Sequence, residues 1–225
     1  SPRVMEGQGM TSSLEVIAEV RGQVGFITLH RPSALNALNL SMIRALTACL
    51  MVWRDDPRVR AVAMRGSNKA GPFGAFCAGG DIRFFHQALQ SGDPSTEDFF
   101  TEEYTLNHLI HTFPKPTIAF MDGVVMGGGM GLSQGATHRL VSERSKLAMP
   151  ETLIGLFPDV GGGFFLSRCP GHTGEWLALT GYDREEVLGQ SFNTLIEHGV
   201  DSPDAARITA EFSGCASADT EVFYH

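Results

Sequence analysis

The sequence predicts an α/β fold with mostly parallel strands. Helix-like and strand-like segments alternate along it with a period of roughly 30 to 40 residues, the pattern of strands joined by helical crossovers. The strand-like pieces are short and apolar, and Gly, Pro or Asp clusters end most segments. Only the first two pieces read as a hairpin. Leu14 to Arg21 alternates apolar and polar residues, Gly22-Gln23 turns the chain, and Val24 to Leu29 returns before Arg31-Pro32-Ser33.

The remaining elements follow in order. Met42, Ile43, Leu46, Leu50 and Trp53 lie at helical spacing, which predicts a helix over Ser41 to Trp53, stopped by Asp55-Asp56-Pro57. Val59 to Arg65 is a short strand closed by Gly66. A Gly/Pro loop, Ser67 to Phe76, leads into Cys77-Ala78-Gly79-Gly80-Asp81, and Ile82 to Leu89 reads as a helix. After the polar break Ser91 to Ser95, a longer helix is expected from Thr96 to Phe113, with Thr96 as its N-cap and acids in its first turn. Pro114-Lys115-Pro116 ends it. Thr117 to Met121 is a buried strand, a helix opens near Gly129 and runs to Gly135, and Arg139 to Ser142 and Lys146 to Met149 are strand-like.

Composition narrows the class. A chain of 225 residues can bury one sizeable core. No apolar run approaches the ~20 residues of a membrane helix. The net charge of −8 argues against nucleic acid as the main partner. Cys49, Cys77, Cys169 and Cys215 show no CxxC pair, which reads as packed thiols in a reduced cytoplasmic protein. His108 and His111 share a helix, but no Cys/His cluster completes a metal site, so no metal is expected. Ser1 to Met10 lacks the apolar centre of a signal peptide, and residues 1–12 read as a leader or tag remnant.

The chemistry concentrates in three glycine-rich stretches around two acids: Met126-Gly127-Gly128-Gly129-Met130-Gly131, Met149-Pro150-Glu151, and Phe157-Pro158-Asp159-Val160-Gly161-Gly162-Gly163. Bare backbone lets N–H groups approach a ligand, and a helix start adds the positive end of its dipole. Cys77-Ala78-Gly79-Gly80-Asp81 offers a second such start, so one N–H from each would make a two-donor oxyanion hole. A carboxylate beside it can act as base, acid or nucleophile. This reads as an acyl-transfer or enolate site. Each acid also has a plain structural reading. Asp81 can cap a helix, Glu151 can be a loop acid, Asp159 a turn residue, and Glu102 and Glu103 a solvated helix face.

Taken together, His30-Arg31-Pro32-Ser33-Ala34-Leu35-Asn36-Ala37-Leu38, Ala75 to Ile82 and Gly123 to Gly131 resemble the crotonase superfamily, the enoyl-CoA hydratase/isomerase family, from about residue 13 to 181. Glu102-Glu103-Tyr104, Gly127 to Ser133, Ala148 to Thr152 and Ile154 to Leu166 resemble most its 3-hydroxyisobutyryl-CoA hydrolase branch. The resemblance implies a spiral of ββα units. It implies a thioester oxygen held by the N–H groups of Gly80 and Gly128, with Glu151 as the central carboxylate. Glu103 and Asp159 would hold a 3-hydroxyl, and Arg31, Ala78 and Asp81 would face the CoA moiety. Hydratases of the family carry a catalytic glutamate where this chain has Gly131, so hydrolysis is implied over hydration. The implied partner is an acyl-CoA, with no separate cofactor, no membrane, and a homo-oligomer as a further expectation. The location implied is the cytoplasm, or the mitochondrial matrix for a eukaryotic source.

Beyond about Thr180 the text departs from that branch. Leu179-Thr180-Gly181-Tyr182 followed by Arg184-Glu185-Glu186-Val187-Leu188-Gly189 resembles the start of a PAS sensory domain. The expected organisation is therefore a leader, a crotonase-like domain over 13–181 with its C-terminal helical part missing or replaced, and a divergent, PAS-like tail over 182–225. Three functions stay open: a 3-hydroxyacyl-CoA thioester hydrolase, an enoyl-CoA hydratase/isomerase, and an inactive crotonase-like binding module with a sensory tail.

Overall fold

Two parallel-strand layers wind together through the molecule. The structure, a computed structural model, describes residues 15–68 and 75–169, with Gly174, Leu177 and Ala178. The larger sheet has the order β1 (Val16–Arg21), β2 (Val24–Leu29), β3 (Ala61–Gly66), β4 (Thr117–Met121), β6 (His138–Val141). Among the described strands only β1 and β2 are antiparallel, as the hairpin signal requires; β2–β3, β3–β4 and β4–β6 are parallel. The second layer is built from shorter pieces. β5 (Val124–Met126) pairs in parallel with β7 (Lys146–Ala148), Cys77 bridges Val125, and Leu38 bridges Gly80.

Each turn of the chain thus adds a long strand to one layer, a short strand to the other, and then a helix. The first helix, α1 (Leu40–Asp55), follows Leu38, α2 (Ile82–Ser91) follows Gly80, and α4 (Gly128–Gln134) follows β5. This is the spiral of ββα units that the family resemblance implies. The consequence for function is geometric. Gly80, Gly128 and Glu151 each lie just past the end of a short strand in successive turns, so the second layer brings all three to one edge.

Local chemistry explains most boundaries. Asn39 caps α1, accepting from the Met42 N–H at 2.9 Å, and Asp81 caps α2 through Arg83 N–H at 3.1 Å. The expected cap at Thr96 is corrected. Helix α3 (Ser95–His111) starts earlier, behind Pro94, and Asp93 Oδ1 accepts the Ser95 N–H at 2.9 Å. Proline's fixed φ already suits a helix start, so the chain enters the helix ahead of Thr96. The apolar stripe of α1, with Leu46, Leu50 and Trp53 buried, lies in one core with Ile27, Leu29, Val62 and Met64 of the sheet. Gly25 is required there: a Cβ on it would lie 2.5 Å from the Trp53 ring. Cys49 and Cys77 are free and buried, and burial pushes both thiols up to about 12.

Asn36 locks the joints between turns. It is 0% exposed and sits at φ 56. Its Oδ1 accepts the Arg31 N–H at 2.8 Å, and its Nδ2 donates to the carbonyls of Ser67 and Ala75 at 3.1 and 2.5 Å. An alanine there would leave three part-buried backbone groups without this partner and would itself have to hold a left-handed conformation. Asn36→Ala should lose about 3 kcal/mol of stability in urea unfolding; a loss below ~1 kcal/mol would mean that water replaces the amide.

Candidate active site

The edge where the short strands end carries backbone donors. The Leu38–Gly80 bridge uses the N–H of Leu38 to Gly79 O at 2.7 Å and the N–H of Asp81 to Leu38 O at 2.8 Å. Strand alternation therefore turns the Gly80 N–H to the opposite side. Gly128 is the first residue of α4, whose leading N–H groups have no carbonyl one turn back. Gly127 turns the chain into that helix at φ 47, ψ −117, a conformation open to glycine. A Cβ on Gly128 would lie 3.5 Å from Gly80 N, so the two donors are neighbours.

Two carboxyls close on the same point. A Cβ on Gly127 would lie 2.7 Å from Glu151 Oε1, and one on Gly128 would collide with Glu103 Oε1. The sequence expects a solvated face for both Glu102 and Glu103 unless the resemblance holds, and the helix separates them. Glu102 lies at the surface in a forked pair with Arg44, which holds its carboxyl below the usual range. Glu103 points inward at 2% exposure. Glu151, at 8% exposure, sits in the 3-10 turn Pro150–Ile154 that follows β7. Proline at the start of that turn and Gly155 at φ 77 at its end confine it to five residues.

Burial, first of all, raises both acids: Glu103 to about 8, helped by the charges of Asp159 and Glu151, and Glu151 to about 7, helped by Asp159 and opposed by a backbone hydrogen bond. Both carboxyls are thus held toward their protonated forms near neutral pH, where an ordinary glutamate is ionised. Asp159 faces them and accepts a hydrogen bond from the Tyr104 hydroxyl at 2.7 Å. Burial and the Asp159 bond raise the Tyr104 phenol, so it stays a donor.

These raised values have a stability consequence. Between the unfolded value of 4.5 and the folded values, the native chain holds protons that the unfolded chain has released. Stability therefore falls as pH rises from about 4.5 to about 8. Glu103→Gln removes one of the two groups. The variant should gain on the wild type by an amount growing on the order of 1 kcal/mol per pH unit across that window, read from unfolding midpoints at pH 5 and pH 8. Equal gaps at both pH values would show that Glu103 ionises freely.

Arg31 and Asp81 pair with each other at 2.6 Å, and Glu15 meets the same guanidinium at 3.1 Å. The Arg31 charge is thus already balanced, and its Nη1 donates to Ala37 O at 3.0 Å. The group clasps the loop that carries Gly79 and Gly80. Ala78 ties into it through its N–H to Leu35 O at 3.0 Å. Sequence reasoning missed Asn107. It lies one helical turn beyond Glu103 on α3, and neither its Oδ1 nor its Nδ2, both buried, has a hydrogen-bond partner among the described residues. Glu103 Oε1 and Glu151 Oε2 are buried and unpartnered too. The spacing of four between Glu103 and Asn107 was the signal available.

Strands of two layers ending on glycine N–H groups, with carboxyls of adjacent turns facing them, define the crotonase class. The enoyl-CoA hydratase/isomerase family model matches residues 24–222, and the chain belongs to that family. It is 52% identical over 168 residues to the mitochondrial 3-hydroxyisobutyryl-CoA hydrolase of Xenopus tropicalis, covering 75% of this chain and 43% of that protein. The corresponding enzyme of Homo sapiens is 46% identical over 168 residues, covering 75% and 42%. Among solved structures, a carnitinyl-CoA dehydratase from Mycobacterium thermoresistibile superposes with a TM-score of 0.72 at 32% identity, covering 92% of this chain and 68% of that one. An enoyl-CoA hydratase from Rhodobacter sphaeroides 2.4.1 gives 0.70 at 38%, covering 94% and 61%. The chain spans less than half the length of the curated hydrolases it matches.

Two expectations change. The cytoplasmic location is corrected, because these hydrolases are mitochondrial proteins by name and the reduced-thiol argument cannot tell the two compartments apart. The tail likened to a PAS segment lies outside the described residues, and the family match continues through it to residue 222, so the PAS reading gives way to the family. Among the described residues no helix is long and apolar enough to cross a membrane.

Proposed function

We propose that this chain carries the thioester-cleaving site of a hydrolase acting on a short branched 3-hydroxyacyl-CoA of the 3-hydroxyisobutyryl-CoA type. The observation that carries the reading is the pairing of two adjacent backbone donors, Gly80 and Gly128, with buried Glu151 and Glu103 on one edge. Sequence identity to named hydrolases supports the substrate class.

In this reading the thioester oxygen accepts hydrogen bonds from the N–H groups of Gly80 and Gly128. Negative charge develops there as the carbonyl carbon becomes tetrahedral, and two preset donors stabilise it. Ionised Glu151 either attacks that carbon or takes a proton from an attacking water. The C–S bond then breaks, and the sulfur leaves as thiolate and gains a proton. On the attack route water then cleaves the anhydride formed with Glu151, so either route ends in a free acid, CoA thiol and regenerated Glu151. Glu103 and Asp159 hold the 3-hydroxyl, with Glu103 donating to its oxygen when protonated. Arg31, Ala78 and Asp81 shape the loop beside the CoA moiety.

The hydratase alternative needs a second carboxylate at position 131, and this chain has Gly131 there. A mitochondrial location, a domain over residues 13–181 and self-association belong to the same proposal. The exposed side chains of Leu153, Ile154, Leu156 and Phe157 support the last of these. The test is thiol release, read with a thiol-reactive dye, from 3-hydroxyisobutyryl-CoA and from crotonyl-CoA. Release from the first and no hydration of the second is expected. Efficient formation of 3-hydroxybutyryl-CoA from the second would assign the chain to the hydratases.

A further inference from the structure

The Asn107 amide stands out among the polar groups of this molecule. Amide side chains in a folded interior almost always find partners, because an unpaired buried donor or acceptor is costly. Asn36 makes three such bonds. Among the described residues Asn107 makes none at either atom, although both are buried.

Its place is defined by Gly131. A Cβ on Gly131 would lie 2.9 Å from Asn107 Nδ2, 3.1 Å from Asn107 Oδ1 and 2.7 Å from Val160 Cβ. The amide therefore fills the space that a side chain at position 131 would take. The surrounding backbone is unusual as well. Val160, a β-branched residue, is held at φ 44, and such residues are outliers in that region and collect at functional sites. Asp159 precedes it, and Glu103 lies one turn back along α3.

We infer that Asn107 is a specificity-determining residue whose amide binds the substrate's hydroxyl on carbon 3, donating from Nδ2 and accepting at Oδ1. The inference rests on the hydrolase reading above and extends it. Three features select a hydroxyl. The amide offers one kind of donor and one acceptor, and a hydroxyl satisfies both at once. A carboxylate would leave Oδ1 facing negative charge, and an ammonium would leave Nδ2 without an acceptor. A hydroxyl oxygen can also take a second donor besides Nδ2, and Glu103, one turn back along α3, can supply it when protonated.

Reach agrees with this. Gly131 lies three residues along α4 from the Gly128 donor, an axial rise of about 4.5 Å. From a thioester carbonyl carbon to the oxygen on carbon 3 is three single bonds, about 3.7 Å when extended. An amide also does not titrate near neutral pH. It can hold a hydroxyl but cannot take or give the proton that adding water to a double bond requires.

The test compares Asn107→Leu and Asn107→Ala with the wild type. Leucine is close to isosteric and removes two unpaired buried atoms, so it should raise the unliganded midpoint by about 3 °C. Affinities for 3-hydroxyisobutyryl-CoA and isobutyryl-CoA are measured by calorimetry in a Glu151→Gln background, so no turnover is needed. Without substitution at 107, the hydroxylated ligand should bind at least about tenfold tighter, and both substitutions should collapse that ratio towards one. A ratio that persists in the variants, or no preference in their absence, overturns the inference and leaves thiol release by the wild type to judge the hydrolase reading. A preference that collapses, in a protein whose wild type releases no thiol, supports the role of Asn107 and sinks the hydrolase reading instead. Failure of both variants to fold would make Asn107 a packing residue and overturn the inference.

Discussion

Glu151→Gln is expected to lower thiol release from 3-hydroxyisobutyryl-CoA by at least about a hundredfold, within the range for loss of a general base or nucleophile. The amide keeps the shape of the side chain, and Oε2 has no hydrogen-bond partner among the described residues, so no hydrogen bond to them is broken at that atom. What disappears is a charge that forms near pH 7. The wild-type kcat/KM should therefore rise with pH through about 7 as Glu151 ionises. Asp159→Asn removes the one charge that raises this value, so the rising limb should move to lower pH. Folding should be intact in Glu151→Gln, since neutralising a buried carboxyl relieves strain above pH 7 rather than adding it. A variant that kept more than a tenth of wild-type turnover would remove Glu151 from the chemistry.

Much of this site was legible in the sequence, for reasons that can be traced to particular residues. The Gly-rich stretches at 79–80 and 127–131 advertise helix starts with bare backbone, and both fall at helix starts. Glu151 was half readable: Pro150 after an apolar strand leaves a short turn that can carry an acid inward, but the same turn also suits a solvated loop acid, and its burial settles only the placement. The inside–outside choice between Glu102 and Glu103 was not readable from charge alone. It depends on Arg44, distant in sequence, being opposite one of them. Strand β5 escaped notice because three residues between Gly123 and Gly127 carry no periodicity. The resemblance sets Arg31 beside the CoA moiety, but its pairing with Glu15 and Asp81, which come from separate segments, could not be read from the sequence. Asn107, four residues beyond Glu103, is easily passed over in sequence because an asparagine on a helix is ordinarily solvated. Only the packing of α3 against α4 makes its lack of partners visible.

Gly131→Glu is expected to abolish thiol release without creating a hydratase. Restoring the family's second carboxylate looks like a one-residue conversion, but the neighbourhood opposes it. The first atom of any side chain at 131 would stand 2.7 Å from Val160 Cβ and 2.9 Å from the Asn107 amide. Val160 cannot yield easily, since its backbone is already held at φ 44. Asn107 is anchored on α3 between the buried Leu106 and Ile110 positions. Overpacking of this kind costs about 1–3 kcal/mol. A further carboxyl beside Glu103, Glu151 and Asp159 adds like-charge repulsion that should raise the pKa of the group that ionises last. The expected result is a lowered unfolding midpoint, lost hydrolysis, and no hydration of crotonyl-CoA. Combining Gly131→Glu with Asn107→Gly clears the space and should recover part of the lost stability, because the two positions share one volume. Measured hydration in the single variant would mean that the missing carboxylate alone separates the two reactions. Full additivity of the two substitutions would mean that Asn107 does not occupy the space at Gly131, and the steric argument would fall with it.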